Sequence, residues 1–114
     1  MRTVLIVDDH AAFRSAARAI LQADFDIVGE AADGASAIAA VTELRPDVVL
    51  LDVQLPDLDG FDLATRLPAD GPAIVLTSSR SVSSFRRRLA SNPALSFIPK
   101  SDLSGEALAA ALAG

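Results

Sequence analysis

The sequence predicts a doubly wound α/β fold, in which a single five-stranded parallel sheet is flanked by five helices. The chain has 114 residues, close to the commonest size for one domain. Short runs rich in Val, Ile and Leu alternate with stretches whose apolar residues recur three or four positions apart. The connections between these segments are short, and such alternation places helices on both faces of a parallel sheet.

Five apolar runs are predicted to form the strands. Thr3–Val7 and Asp47–Leu51 are nearly continuous in apolar residues, as expected of strands that are covered on both faces. Asp26–Ala31 is a weaker second strand. The fourth and fifth strands are predicted at Ala73–Thr77 and Leu95–Ile98.

A helical pattern follows each strand. The second helix is expected to stop before Pro46, and the third is ended by Pro68, because the residue before a proline avoids the helical conformation. The apolar positions that mark the five helices fall within Phe13–Ile20, Ile38–Leu44, Phe61–Leu67, Val82–Leu89 and Leu103–Leu112.

Composition narrows the class of protein. The net charge of −5 opposes direct binding to nucleic acid or to an anionic membrane, since both present phosphate groups. The absence of cysteine excludes disulfides and thiolate metal sites. The N-terminus lacks the pattern of a signal peptide, and no uncharged apolar run approaches membrane-spanning length. We therefore expect a cytoplasmic protein.

Polar residues follow the predicted strands at the edge where ligands bind in open α/β sheets. Asp8 and Asp9 come after the first strand, Asp52 after the third, Thr77 ends the fourth, and Lys100 follows the fifth. Three converging carboxylates repel one another, and a divalent cation such as Mg²⁺ removes that conflict. A lysine beside them would meet a phosphoryl oxygen. The set is equipped for phosphoryl transfer to a carboxylate.

Each residue of this set also has an ordinary structural interpretation. An Asp pair after a strand often caps the next helix, and Asp52 suits the start of a proline-containing turn. Thr77 can satisfy backbone groups at a strand end, and Lys100 can be a solvated side chain. Capping and turn formation do not require carboxylates, a hydroxyl and an ammonium to share one edge of the sheet. The combination therefore favours a functional site.

Three further features are given structural interpretations. His10, the only histidine, is expected to serve in a loop or as a helix cap, with metal ligation as the alternative. The basic run Arg86–Arg88 is interpreted as a solvated helix face, with a partner contact as the alternative. Phe97 is, by residue type alone, a core residue of the fifth strand.

Taken together, four segments resemble the receiver domain of two-component response regulators over essentially the whole chain. They are VLIVDDH at 4–10, DVVLLDVQLPDLDGFDL at 47–63, IVLTSS at 74–79 and FIPKS at 97–101. The resemblance implies one receiver domain over residues 1–114, with the flavodoxin-like strand order 2-1-3-4-5. No output domain is expected within the chain, which is then a stand-alone receiver or part of a longer regulator.

The resemblance also implies a role for each site residue. Asp52 corresponds to the phosphoacceptor. Mg²⁺ is then held by Asp8, Asp9, Asp52 and the backbone carbonyl of Gln54. The implied domain is a signalling switch and not an enzyme.

The remaining implied roles concern the switch and its partners. Thr77 corresponds to the switch hydroxyl, Lys100 to the lysine that contacts the phosphoryl group, and Phe97 to an aromatic side chain that changes rotamer. The implied phosphodonor is a sensor histidine kinase. The implied targets are an output domain or an effector protein, with a phosphorylation-dependent homodimer as a further expectation.

The sequence departs from many receivers in three places. Pro99 precedes Lys100, whereas in many receivers a proline follows the lysine. Phe97 lacks the hydroxyl of a tyrosine. The region at 68–72, after the third helix, looks shortened.

Three other functions have weaker support. A phosphatase of the haloacid-dehalogenase type needs a second Asp two residues after the nucleophile, and this chain has Gln54 there. A pseudo-receiver that docks partners without phosphorylation would be favoured by a missing acceptor, lysine or acidic pair, and all of these are present. A dinucleotide-binding domain would need a G-x-G-x-x-G segment after the first strand.

Overall fold

The computed structural model describes residues 1–113, which contain one five-stranded sheet. The strands are β1 Thr3–Val7, β2 Asp26–Ala31, β3 Val48–Asp52, β4 Ala73–Ser78 and β5 Ser96–Pro99. Every pair of neighbouring strands is parallel, and their order is β2-β1-β3-β4-β5. The predicted doubly wound fold and its strand order are confirmed.

Within residues 1–113, four α-helices connect the strands and a fifth follows β5. They are α1 Ala11–Leu21, α2 Gly34–Leu44, α3 Gly60–Arg66, α4 Arg86–Ala90 and α5 Gly105–Ala113. Two 3₁₀ turns, Val82–Phe85 and Lys100–Asp102, precede α4 and follow β5. Among residues 1–113, none of the helices has the length and apolar character needed to cross a membrane.

The core forms two layers, one on each face of the sheet. On one face, Leu5 and Leu51 of the central strands pack with buried residues of α2 and α3. On the other face, Ile6 and Leu50 pack with Leu108 of α5 and with α1. Because side chains alternate across a strand, the apolar run of β3 supplies both layers at once. The site described below lies where this doubly covered sheet ends.

Several boundaries differ from the sequence prediction: β4 ends at Ser78 and not at Thr77, and β5 covers Ser96–Pro99 and not Leu95–Ile98. The third strand begins at Val48 and runs to Asp52, because the Asp47 carboxylate accepts hydrogen bonds from Thr3 instead of continuing the apolar run. The last helix begins at Gly105 and not at Leu103. Ser104 lies before its first turn, and its Oγ accepts the N–H of Ala107 at 2.9 Å, as an N-cap residue does.

The fourth helical segment is much shorter as an α-helix than predicted. Its first half, Val82–Phe85, is a 3₁₀ turn, and α4 itself has five residues, none of them buried. Val82 is β-branched and two serines follow it, so this stretch favours helix weakly. Asn92 then donates its side-chain N–H to the carbonyl of Arg88 at 2.7 Å, which ends the helix. The segment is therefore held mainly by the few side chains that reach its neighbours.

Candidate functional site

The predicted carboxylates meet beyond the carboxyl ends of β1 and β3, which are neighbours in the sheet. Ligand atoms of Asp8, Asp9, His10 and Asp52 all lie within 4.8 Å of one another. Asp8 and Asp52 are buried, whereas Asp9 and His10 are exposed. The parallel topology thus brings together four groups from two separate strand ends.

Lys100 is the only lysine of the chain and reaches the same cluster from the end of β5. Its Nζ lies 2.6 Å from Asp8 Oδ2 and 3.5 Å from Asp52 Oδ2. The ammonium also lies 4.4 Å from the centre of the Phe13 ring, a cation–π distance. The Lys100 ammonium therefore pairs with two of the three carboxylates, and the remaining excess of negative charge on oxygen ligands suits a divalent cation such as Mg²⁺.

Asp52 is in an environment that disfavours its charged form. Burial raises the pKa of its carboxyl group, and the negative charge of Asp8 raises it further. Lys100 and the N–H of Gln54 act in the opposite direction but do not cancel these effects. The fold thus stores repulsion at this position, which a bound cation would relieve.

The substitution Asp52→Asn should therefore make the protein more stable at neutral pH. A carboxyl whose pKa is raised on folding binds its proton more tightly in the folded state, so wild-type stability falls as pH rises through the raised pKa. We expect the variant to gain about 1 kcal/mol, or roughly 4 °C in Tm, at pH 7 and to lose this advantage toward pH 3. Thermal unfolding followed by circular dichroism across this pH range checks it. An advantage that is equal at both ends of the range would contradict it.

Thr77 sits beside Asp52 in the neighbouring strand. The two residues are paired across β3 and β4, and the carbonyl of Thr77 accepts the N–H of Val53 at 2.9 Å. The Thr77 hydroxyl is buried and has no hydrogen-bond partner within residues 1–113. An unpaired buried hydroxyl costs free energy, so its placement beside Asp52 fits an incoming acceptor such as a phosphoryl oxygen.

The loop between β3 and α3 borders the site. The N–H of Gln54 donates to Asp52 Oδ1 at 3.3 Å, and Gln54 forms an isolated antiparallel bridge with Asp59. The N–H of Gly60 donates to the carbonyl of Val53 at 2.6 Å. A Cβ atom at Gly60 would lie 2.6 Å from the carbonyl oxygen of Asp52, so only glycine permits this approach. The loop is thereby packed directly against the backbone of Asp52.

His10 lies in the loop before α1, one of the two roles expected of it, but it does not cap the helix with its side chain. It occupies the N-cap position of α1, but its side chain caps nothing. Instead, its Nδ1 lies 3.0 Å from Asp8 Oδ1 and 3.1 Å from Asp9 Oδ1. The His10 side chain contacts the two carboxylates and not the backbone N–H groups at the start of α1, because an imidazole two residues after Asp8 can reach both carboxylates.

Phe97 lies in the core, as its residue type suggests, and belongs to a row of three rings. Its ring centre is 5.4 Å from that of Phe85, which is 6.1 Å from that of Phe61. Phe97 is half-buried and pairs with Leu76 across β4 and β5. The row connects the strand beside Lys100 with the segment before α4 and with the start of α3.

The basic run Arg86–Arg88 is not a uniformly solvated face. Arg88 forms two hydrogen bonds with the Asp59 carboxylate, at 2.8 and 2.9 Å, and its guanidinium lies 4.1 Å from the centre of the Phe61 ring. Burial opposes ionisation of Asp59, but the Arg88 and Phe61 hydrogen bonds hold the pKa of that carboxyl below its ordinary value. The sequence carries no signal for this pair, since its members are 29 residues apart.

Comparison with known proteins identifies the family. The family model described as the response regulator receiver domain matches residues 4–113. A candidate transcriptional regulator of Pseudomonas aeruginosa is 38% identical over 117 residues, which cover 99% of this chain and 56% of that protein. The response regulator VraR of Staphylococcus aureus is 42% identical over 73 residues, which cover 62% of this chain and 35% of VraR.

A solved structure gives the same result. The signal receiver domain of NarL, a candidate response regulator from Mycobacterium tuberculosis, superposes with a TM-score of 0.77 and 25% identity. The match covers 99% of this chain and 98% of that one. The two curated relatives are longer than this chain, which spans about half of one and a third of the other. The family model, the Pseudomonas aeruginosa relative aligned over 99% of this chain and the NarL receiver structure agree. We conclude that the chain belongs to the response regulator receiver domain family of two-component systems.

Proposed function

We propose that this chain is a phosphorylation switch in which Asp52 accepts a phosphoryl group from a sensor histidine kinase, in a reaction that requires Mg²⁺. One observation carries the proposal. Asp52 is buried beside Asp8, within 3.5 Å of the only lysine, and opposite a buried Thr77 hydroxyl without a partner. This arrangement combines donors for a phosphoryl group with carboxylates for a cation.

The chain's own residues have distinct tasks in the transfer. A carboxylate oxygen of Asp52 forms a bond to phosphorus while the P–N bond of the kinase phosphohistidine breaks, and the imidazole leaves with the electron pair. Lys100 and the Thr77 hydroxyl are the donors that we assign to the phosphoryl oxygens. Transfer of this kind depends mostly on positioning and on charge neutralisation.

Asp8, Asp9, Asp52 and the backbone carbonyl of Gln54 are the ligands that we assign to Mg²⁺. When bound, the cation neutralises negative charge on the carboxylates and on the transferred group. Asp8 is fully buried and rigidly held by the N–H of His10 at 2.8 Å, so its carboxylate is oriented in advance. The exposed side chain of Asp9 leaves room on its side for the waters that Mg²⁺ retains.

The output of the switch is assigned to α4, β5 and α5. A phosphoryl group on Asp52 offers Thr77 a charged acceptor, and Thr77 lies in the strand that leads into the 3₁₀ turn before α4. Its movement would alter the packing of Phe85 against Phe97. We propose that an effector protein or an output domain detects this change in the cytoplasm, and that phosphorylation promotes homodimer formation. The net charge of −5 argues against direct nucleic-acid binding by this domain.

The test uses the fact that the chain has one lysine and one histidine. In a sample labelled with ¹⁵N at lysine Nζ and at the histidine ring, NMR shows one signal from Lys100 and the ring signals of His10. We expect Mg²⁺ alone to shift the His10 signals, and beryllofluoride, a phosphoryl mimic, to shift Lys100 only when Mg²⁺ is present. In a second, uniformly ¹⁵N-labelled sample, the backbone shifts caused by beryllofluoride should extend over residues 77–100. A Lys100 signal that is indifferent to beryllofluoride would contradict the proposed function.

A further inference from the structure

Among residues 1–113, one hydrogen-bonded side-chain pair, Arg88 with Asp59, joins α4 to the loop beside Asp52. No residue of α4 is buried, and Leu89 is only half-buried against the core. Arg88, by contrast, makes a two-pronged contact with Asp59 and lies over the Phe61 ring. A short helix with few apolar contacts has a low barrier to displacement, so such a pair has a large share in fixing its position.

Asp59 is itself firmly placed. Its Oδ1 accepts the N–H of Phe61 at 2.8 Å and so caps α3. The loop before it is fixed on its other side, where the Asp57 carboxylate accepts the N–H groups of Gly34 and Ala35 at the start of α2, at 2.7 and 3.1 Å. The pair with Arg88 therefore joins a short helix without buried residues to a fixed loop.

The loop that contains Asp59 is packed directly against the backbone of Asp52. Gly60, directly after Asp59, hydrogen-bonds Val53 and leaves no space for a Cβ atom against the Asp52 carbonyl. Displacement of α4 must either stretch both Arg88 hydrogen bonds or move the loop that is packed on Asp52. A bidentate pair loses both contacts together when its partner shifts, because its geometry is specific.

We propose that the Arg88–Asp59 pair is a latch that holds α4 in its resting position, so that breaking it shifts the protein toward the phosphorylated conformation. This inference rests on the proposed function, since it deepens the path from Asp52 to the output surface. In this arrangement Lys100 Nζ lies 2.6 Å from Asp8 Oδ2, so the lysine that we assign to the phosphoryl group is paired with a carboxylate instead. The Arg88–Asp59 pair is formed together with this resting contact, and its free energy therefore stabilises the resting arrangement. A contact present in only one of two states biases their equilibrium by its own free energy.

The test compares two latch variants with a matched control. Arg88→Ala removes the guanidinium, and Asp59→Asn removes the charge but keeps an oxygen that can cap α3. Arg87→Ala is the control, because it deletes the same charge one residue away from a side chain that is exposed and in no ion pair within residues 1–113. Each is titrated with beryllofluoride at constant Mg²⁺, followed by the Lys100 signal.

We expect Arg88→Ala and Asp59→Asn to bind beryllofluoride about fivefold more tightly than wild type, a change equivalent to about 1 kcal/mol. The double variant should bind no more tightly than either single variant, because both remove the same contact. Arg87→Ala should match wild type. Unchanged or weaker binding in the two latch variants, or equal tightening in Arg87→Ala, would overturn the inference.

A second measurement does not depend on phosphorylation. Amide hydrogen exchange without ligands should accelerate several-fold at residues 85–92 in Arg88→Ala and remain unchanged in β1 and β3. Equal exchange in Arg88→Ala and wild type would overturn the latch even if beryllofluoride bound. If wild type failed to bind beryllofluoride, both the proposed function and the effect of the latch on phosphorylation would be refuted. The exchange rates would still decide whether the Arg88–Asp59 pair anchors α4.

Discussion

Replacing Lys100 by methionine is expected to lower the free energy of unfolding by about 2–3 kcal/mol at neutral pH, the largest stability effect of any site substitution that we predict. Asp8 is fully buried, and Lys100 Nζ is 2.6 Å from its Oδ2. Methionine keeps most of the apolar stem of the side chain against Phe13, so the loss of stability reports mainly the removal of the positive charge. Thermal unfolding should show a Tm lower by roughly 10 °C.

A second substitution separates the contribution of the Lys100 charge to stability from the contribution of its packing. Asp8→Asn removes the buried carboxylate that Lys100 neutralises, so Lys100→Met should cost much less in the Asp8→Asn background than in wild type. Millimolar Mg²⁺ should also restore part of the stability of Lys100→Met, since a bound cation offsets the same carboxylates. Equal costs in the two backgrounds would show that Lys100 acts through packing alone.

Replacing Asp9 by alanine should nearly abolish phosphorylation while the fold is retained. Asp9 is exposed and contacts only His10 among the ion pairs of residues 1–113, so its removal relieves repulsion without leaving a buried group unpaired. As an assigned metal ligand, it should matter at least as much as outer-shell partners, which change affinity or activity by about 10–100-fold. We expect Mg²⁺ affinity, read from the His10 signals, to fall by about 100-fold.

The control for Asp9 is Asp70→Ala, an exposed carboxylate in the loop between α3 and β4. It changes net charge equally but lies at the opposite edge of the sheet, before β4 begins. Its Mg²⁺ affinity and phosphorylation should equal those of wild type. The assignment of Asp9 is wrong if its alanine variant is phosphorylated normally at millimolar Mg²⁺, or if that variant unfolds.

The convergence of the candidate site residues could be predicted from the sequence because parallel topology constrains it strongly. Once the runs around Leu5, Leu50 and Ile98 are identified as strands of one parallel sheet, the residues after them must meet at one edge. Asp8, Asp52 and Lys100 therefore converge whatever the details of the helices. The prediction needed only the period of the apolar pattern and the points where each run stops.

Contacts between side chains on different helices and strands could not be predicted from the apolar pattern. The Arg88–Asp59 pair depends on the position of α4, and that position depends on a 3₁₀ turn which weak local propensity at Val82–Phe85 did not reveal. The orientation of His10 depends on competition between a helix end and two carboxylates, which spacing alone does not decide. In both cases tertiary electrostatics outweigh local sequence preference.

The central claim is that Asp52 carries the phosphoryl group. The most direct measurement is intact-mass and peptide-mapping mass spectrometry after exposure to a small phosphodonor such as acetyl phosphate, with Mg²⁺ or with a chelator. We predict a gain of one phosphoryl group, mapped to the peptide that contains Asp52, only with Mg²⁺ and never in Asp52→Asn. A phosphoryl group on any other residue, or the same gain in Asp52→Asn, would contradict the account.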